Sequence, residues 1–139
     1  MTDAHLPEGF HPHTRHSGLT APWEPIYARH DAPGLTLAIR AGGAHTNSRG
    51  FVHGGLISAL ADNAMGLSCI DGERPPAGLV TVSLSVDFVG TARTGQWLEV
   101  RASAIKSGRS LSFAQALVVS DGQVCARASG VFKALAPPA

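Results

Sequence analysis

The sequence predicts an α+β domain in which one long helix is wrapped by a curved antiparallel sheet. Three observations carry that prediction: apolar residues recur at helical spacing over 54–70, they alternate with polar ones over most of 79–135, and glycine-containing turns separate the alternating runs. One helix cannot cover both faces of so much sheet, but a single curled sheet can wrap one helix.

Taken in order, residues 1–33 hold five of the seven histidines (His5, His11, His13, His16, His30) and five prolines, with little apolar periodicity. They read as an irregular arm around a domain spanning 34–139. "LTLAIRA", 35–41, alternates as a strand with one wetted face, and "GGAHTNSRG", 42–50, is loop by composition. The helix starts at Gly54 or Gly55 and runs to about Ile70. Leu56, Leu60, Ala64 and Leu67 share one stripe, flanked by Ile57, Ala61 and Ile70, and this face should lie on the sheet. The other side carries Gly55, Ser58, Asp62, Met65, Gly66 and Cys69, small rather than charged, so another backbone, a subunit or a ligand can come close. After the turn at 71–78, "LVTVSLSVDFVG", "QWLEVRASAIKSG", "RSLSFAQALVVSDG" and "QVCARASGVFKAL" alternate as an antiparallel meander. Its leftover edges favour dimerisation by sheet extension.

Composition narrows the function. A formal net charge of +1 leaves no basic footprint for nucleic acid and no polybasic membrane anchor. No apolar run approaches the roughly 20 residues of a membrane helix, and the first residues lack the apolar core of a signal peptide, so a cytoplasmic protein is expected. Cys69 and Cys125 should be reduced, small hydrophobes. The tract "HPHTRH", 11–16, has no second cluster of Cys or carboxylates to complete a zinc site, so no metal is expected. Phe10, Trp23 and Tyr27 of the arm are expected to pack over a neighbour or the mouth of a pocket.

The glycine pair at the helix start carries the chemistry. First-turn N–H groups have no intrahelical partner and a partial positive charge, and Gly54 and Gly55 leave the approach bare, so a carbonyl oxygen can reach them as in an oxyanion hole. The same pair also fits a purely conformational role. Asp62 is the only carboxylate in the helix and suits a general base on water or a nucleophile on an acyl carbon. About seven residues, roughly 10 Å of rise, separate it from Gly55, too far for one helix to present both to one carbonyl. Two antiparallel copies across a two-fold axis bring the glycine end of one to the aspartate of the other.

The stretch "NSRGFVHGGLISALADNAMG", 47–66, closely resembles the signature of hotdog-fold acyl-CoA thioesterases of the phenylacetate-degradation type. "GLVTVSLSVDFVGTARTGQWLEV", 78–100, and "RASAIKSGRSLSFAQALVV", 101–119, resemble that family's later strands, so the likeness covers about 35–135. It implies the hotdog fold, hydrolysis of an aryl- or medium-chain acyl-CoA to free acid and CoA without a cofactor, and a homodimer or dimer of dimers, that is, a homotetramer. It also implies that Gly54 polarises the thioester carbonyl with Asn47 assisting, while Asp62 of the partner copy activates water or attacks. Thr81 falls where a Ser or Thr helps hold the water, with Ser83, two residues on and on the same face, as the substitute if the register slips. His53 would shape the loop and acyl pocket, and Gly55 and Met65, with Ala59, Leu67 and Val82, would line it. Lys106, Gly108 and Arg109 of "IKSGRS" would meet the phosphates of coenzyme A, with Arg93 and Arg74 in other turns. Asp87 reads as solvated or structural.

Two other functions fit the same fold. A hydratase or dehydratase needs a His paired with a carboxylate at the reacting carbon, whereas His53 precedes the glycines. A non-catalytic acyl-CoA-binding module would have no use for Asp62.

Overall fold

A computed structural model describes residues 6–70 and 78–135 of the chain. Its elements are β1 (His11–Pro12), β2 (Tyr27–Asp31), β3 (Gly34–Arg40), α1 (Gly54–Ser68), β4 (Leu79–Phe88), β5 (Trp97–Ser107), β6 (Leu111–Ser120) and β7 (Gln123–Ala134), with single 3-10 turns at Ala21–Trp23 and Gly43–His45. The strands form one antiparallel sheet in the order β1-β2-β3-β5-β6-β7-β4, wrapped on α1. The expected α+β architecture is what the chain adopts.

The helix seats on the inner face of the sheet. Leu56, Ile57, Leu60, Ala61 and Ala64 are buried against Leu37 of β3, Leu98 and Val100 of β5, Val118 of β6 and Ala126 of β7, all inward-facing. Truncating Leu60 in such a core costs about 2–5 kcal/mol. Met65 and Cys69, expected on the open side, are buried as well, and the Met65 methyl lies against Gly130 of β7. At 100° per residue Met65 follows Ala61 and Ala64 round the helix. The sheet curls far enough to reach them.

Strand order departs from a simple meander. β4 does not pair with β5; it lies at the far edge against β7, while β5 crosses over to pair with β3 along Gly34–Arg40. The glycine-containing turn after β4, 91–95, does not lead into a neighbouring strand but pairs with the loop before the helix: the Val52 amide donates to Ala92 O at 2.8 Å and Phe51 bridges Arg93.

The arm also departs from expectation. It is not irregular throughout: Tyr27–Asp31 forms β2 beside β3, with β1 outside it. Phe10 meets the Trp97 ring edge-on at 5.3 Å and Tyr27 packs at 5.6 Å. This cluster covers the outer face of the sheet within the same chain, not a pocket mouth. Trp23 goes to the helix side of the core. The turn at 71–77, including Arg74, lies outside the described residues.

Candidate active site

The loop before α1 is fixed by side chains that satisfy its backbone. Asn47 Oδ1 accepts from the amides of Arg49 (2.9 Å) and Phe51 (3.2 Å), an Asx turn that closes the loop at Gly50. His45 is buried beneath it. Its Nδ1 accepts from the Gly42 amide at 3.0 Å and its Nε2 donates to Trp23 O at 2.9 Å, while its carbonyl receives the His53 amide. Nothing in the hydrophobic pattern marked His45, because its role is to fill the polar valences of a loop.

His53 is the N-cap of the helix. Its Nδ1 accepts from the Gly55 amide at 2.8 Å, so the neutral ring carries its proton on Nε2. This occupies one of the two glycine amides. The other, Gly54 N–H, is first in the helix and has no intrahelical acceptor. A Cβ at Gly54 would stand 3.1 Å from Phe88 Cζ, so glycine there lets the Phe88 ring lie across the helix start. Phe88 was not singled out from the sequence. Its inward orientation depends on a strand irregularity that alternation does not reveal.

That irregularity is a β-bulge between Thr81 and Ser83, with Val82 as the extra residue. Thr81 opposes Phe132 on the inner face, Ser83 opposes Val131 on the outer face, and Leu84, Val86 and Phe88 return to the inner face. Thr81 Oγ1 accordingly donates to Asp62 Oδ1 at 2.6 Å. The bulge corrects the expectation for Ser83, which lies on the opposite face and cannot replace Thr81. Val82 is 58% exposed at the bulge.

Other expected residues fall elsewhere. Met65 is part of the core. Gly55 is exposed, and Leu67 is half-buried on the flank of α1 facing the arm. The Gly108 amide is not free: it donates to Leu111 O at 3.0 Å to close the β5–β6 hairpin. Lys106 pairs with Phe113 on the outer face, past a second bulge at Ile105. Arg109 is exposed and makes no ion pair among the described residues, whereas Arg93 stacks over Phe51 at 5.0 Å. Asp87 accepts from Arg127 Nε at 2.9 Å in an exposed pair, a structural role as expected. Burial pushes the thiols of Cys69 and Cys125 up, so neither is a ready nucleophile.

Asp62, half-buried, and Thr81, exposed, meet at the seam between α1 and β4. Leu84 (39% exposed) and Phe88 (52%) form its apolar wall, and the outer edge of β4 has no strand partner among the described residues. A carboxylate fixed by a hydroxyl beside an apolar wall suits proton transfer to an acyl substrate. No helix among the described residues is long and apolar enough to cross a membrane. Among the described residues no group of three or more His, Cys, Asp and Glu side chains is placed to hold a metal ion.

Known proteins share the sequence and the fold. Residues 49–126 match the family model of the thioesterase superfamily. A Pseudomonas aeruginosa protein provisionally named an esterase is 43% identical over 91% of this chain and 96% of its own length. Human acyl-coenzyme A thioesterase 13 is 31% identical over 59% of this chain and 59% of its own length. The structure of a variant of the phenylacetic acid degradation protein PaaI from Thermus thermophilus superposes with a TM-score of 0.70 at 26% identity, over 79% of this chain and 93% of that one. The stretch that builds the Asn47 loop, the His53 cap and Asp62 lies within or beside the matched segment, and the helix-in-sheet architecture is shared. The chain therefore belongs to the thioesterase superfamily, as a thioester hydrolase on the hotdog fold.

Proposed function

We propose that the chain hydrolyses acyl-CoA thioesters with Asp62 as general base, in a site completed by a second copy of itself. The observation that carries this reading is the Thr81-held Asp62 carboxylate on the open flank of α1. Gly54 of the same chain lies eight residues away, on the order of 12 Å of helix rise. A two-fold mate lying antiparallel along the seam between α1 and β4 supplies the missing amide, Gly54 of the partner subunit.

In this mechanism Asp62 takes a proton from water as the water oxygen bonds to the thioester carbonyl carbon. The carbonyl electron pair moves onto its oxygen, which the partner subunit's Gly54 amide stabilises. Collapse re-forms the C=O bond and breaks C–S. The CoA thiolate takes up the proton from Asp62, leaving a carboxylic acid and free CoA. Thr81 spends its hydrogen on Asp62 Oδ1, so its oxygen lone pairs stay available to the water. Asn47 acts through the loop that aims the Gly54 amide, and His53 by consuming the Gly55 amide so that one donor faces the substrate. The apolar wall of Leu84 and Phe88 suits an aryl or medium-chain acyl group, and Arg109 remains for the phosphates. The reading needs no cofactor and a homodimer or dimer of dimers in the cytoplasm.

Thiol release from a panel of acyl-CoAs, wild type against Asp62→Asn, tests it. Turnover lost in the variant supports the base. Single turnover in ¹⁸O-water distinguishes attack by Asp62 followed by hydrolysis at the Asp62 carbonyl, which would leave both oxygens of the first product unlabelled and put the label on the enzyme.

A further inference from the structure

α1 divides the inner face of the sheet into two flanks. Asp62 and Thr81 occupy the flank towards β4. The other, under the arm, holds a cavity of about 740 Å³ that hydrolysis does not use.

Its polar wall is His11, His13, Arg15 and His30, and its apolar wall includes Leu35 and Leu67. Strand pairing explains why the histidines converge. His11 opposes Ala28 and His30 opposes Leu35, all inward-facing, and the two imidazoles stack with centroids 5.7 Å apart and planes 18° from parallel. His13 follows His11 by one strand period. Burial, and then the charges of Arg15, His16, His30 and His11, hold the His13 pKa below its ordinary value.

The acids nearby are engaged. Glu24 pairs with His16, and Asp31 accepts from Arg29 at 2.7 Å and from Thr36 at 3.3 Å. No Asp or Glu among the described residues lines the cavity, and Arg15 has no ion-pair partner among them. Four groups able to carry positive charge therefore share a cavity with no counter-charge. An anion there relieves their mutual repulsion and favours the protonated form of His13, which burial and those charges disfavour. Inorganic phosphate would fill a small part of the volume and leave the apolar wall wet.

We infer that this cavity binds a carboxylate with an apolar body. Its head lies among His13, Arg15 and His30, and its body lies against Leu35 and Leu67. Binding takes up protons, so affinity rises as pH falls through the imidazole range.

Calorimetric titration of the intact chain with octanoate tests this, at about pH 6 and about pH 8. The expected result is saturable binding, tighter at the lower pH, weakened about tenfold or more in His13→Ala/His30→Ala and in Arg15→Ala. Thioester hydrolysis and melting temperature measured on the same preparations should stay near wild type. Absence of saturable binding, equal affinity at both pH values, equal affinity in the variants, or inorganic phosphate binding as tightly as octanoate would each overturn the inference. Octanoate bound beside β4 instead is recognised by its loss in Leu84→Asp with the histidines intact, which also counts against it. The readout is binding, so an inactive Asp62→Asn enzyme bears on the hydrolytic mechanism alone.

Discussion

The Thr81 hydroxyl donates to Asp62 Oδ1 at 2.6 Å across nineteen positions of sequence, joining the helix to the sheet's edge strand. Hydrogen bonds to charged groups contribute about 1.5–3 kcal/mol. Thr81→Val is therefore expected to lower kcat about 10- to 100-fold, and Thr81→Ser to retain most of the rate. Equal rates for Val and Ser would show that the hydroxyl does not position the base.

Asp62→Asn keeps an oxygen for Thr81 but cannot take a proton. A loss of about 10²- to 10⁴-fold in kcat is expected, with a melting temperature near wild type. Activity that survives the substitution would move the base elsewhere.

Gly54→Ala sets a methyl 3.1 Å from the Phe88 ring. Overpacking of this kind costs about 1–3 kcal/mol. Adding Phe88→Leu should recover the melting temperature. If it does not, the clash lies with another neighbour.

His53→Ala removes the acceptor for the Gly55 amide, a capping loss of about 0.5–2 kcal/mol. Denaturant titration should show that loss, and His53→Asn, with a side-chain oxygen suited to the same role, should return part of it. A stability unchanged by Ala would mean that water caps the helix as well as the imidazole does.

Because the fold holds His13 below its ordinary value of 6.5, the unfolded chain binds more protons than the folded one below that pH. His13 therefore makes stability fall as pH drops below about 6.5, and contributes no pH dependence well above it. Thermal melts between about pH 7.5 and about pH 5 should show a decline that His13→Gln flattens. An equal decline in the variant would assign it to other groups.

Much of this was legible before the fold was known. Alternation placed β3 and β5 through β7 within a residue or two, because each buries one face. The run from Gly54 announced the helix because Leu56, Leu60 and Ala64 recur at its period. The glycine pair and Asp62 were visible because both are unusual inside a helix. Strand order was hidden: β4 alternates as well as any strand, and alternation says nothing about which neighbour takes its hydrogen bonds. The face assignment of Ser83 was hidden too, since one extra residue at Val82 reverses everything after it. β2 was missed because its five residues lie among prolines and histidines and borrow order from β3.

The crossover has a consequence for synthesis. Thr81 leaves the ribosome about fifty residues ahead of Phe132, which opposes it on the last described strand. Until then β4 has no strand to pair with, and Val82 and Leu84, exposed even in the folded chain, lie along it. The nascent chain therefore passes through an interval in which Asp62 is not yet held by the Thr81 hydroxyl. In that interval it is also most vulnerable to joining the wrong strand.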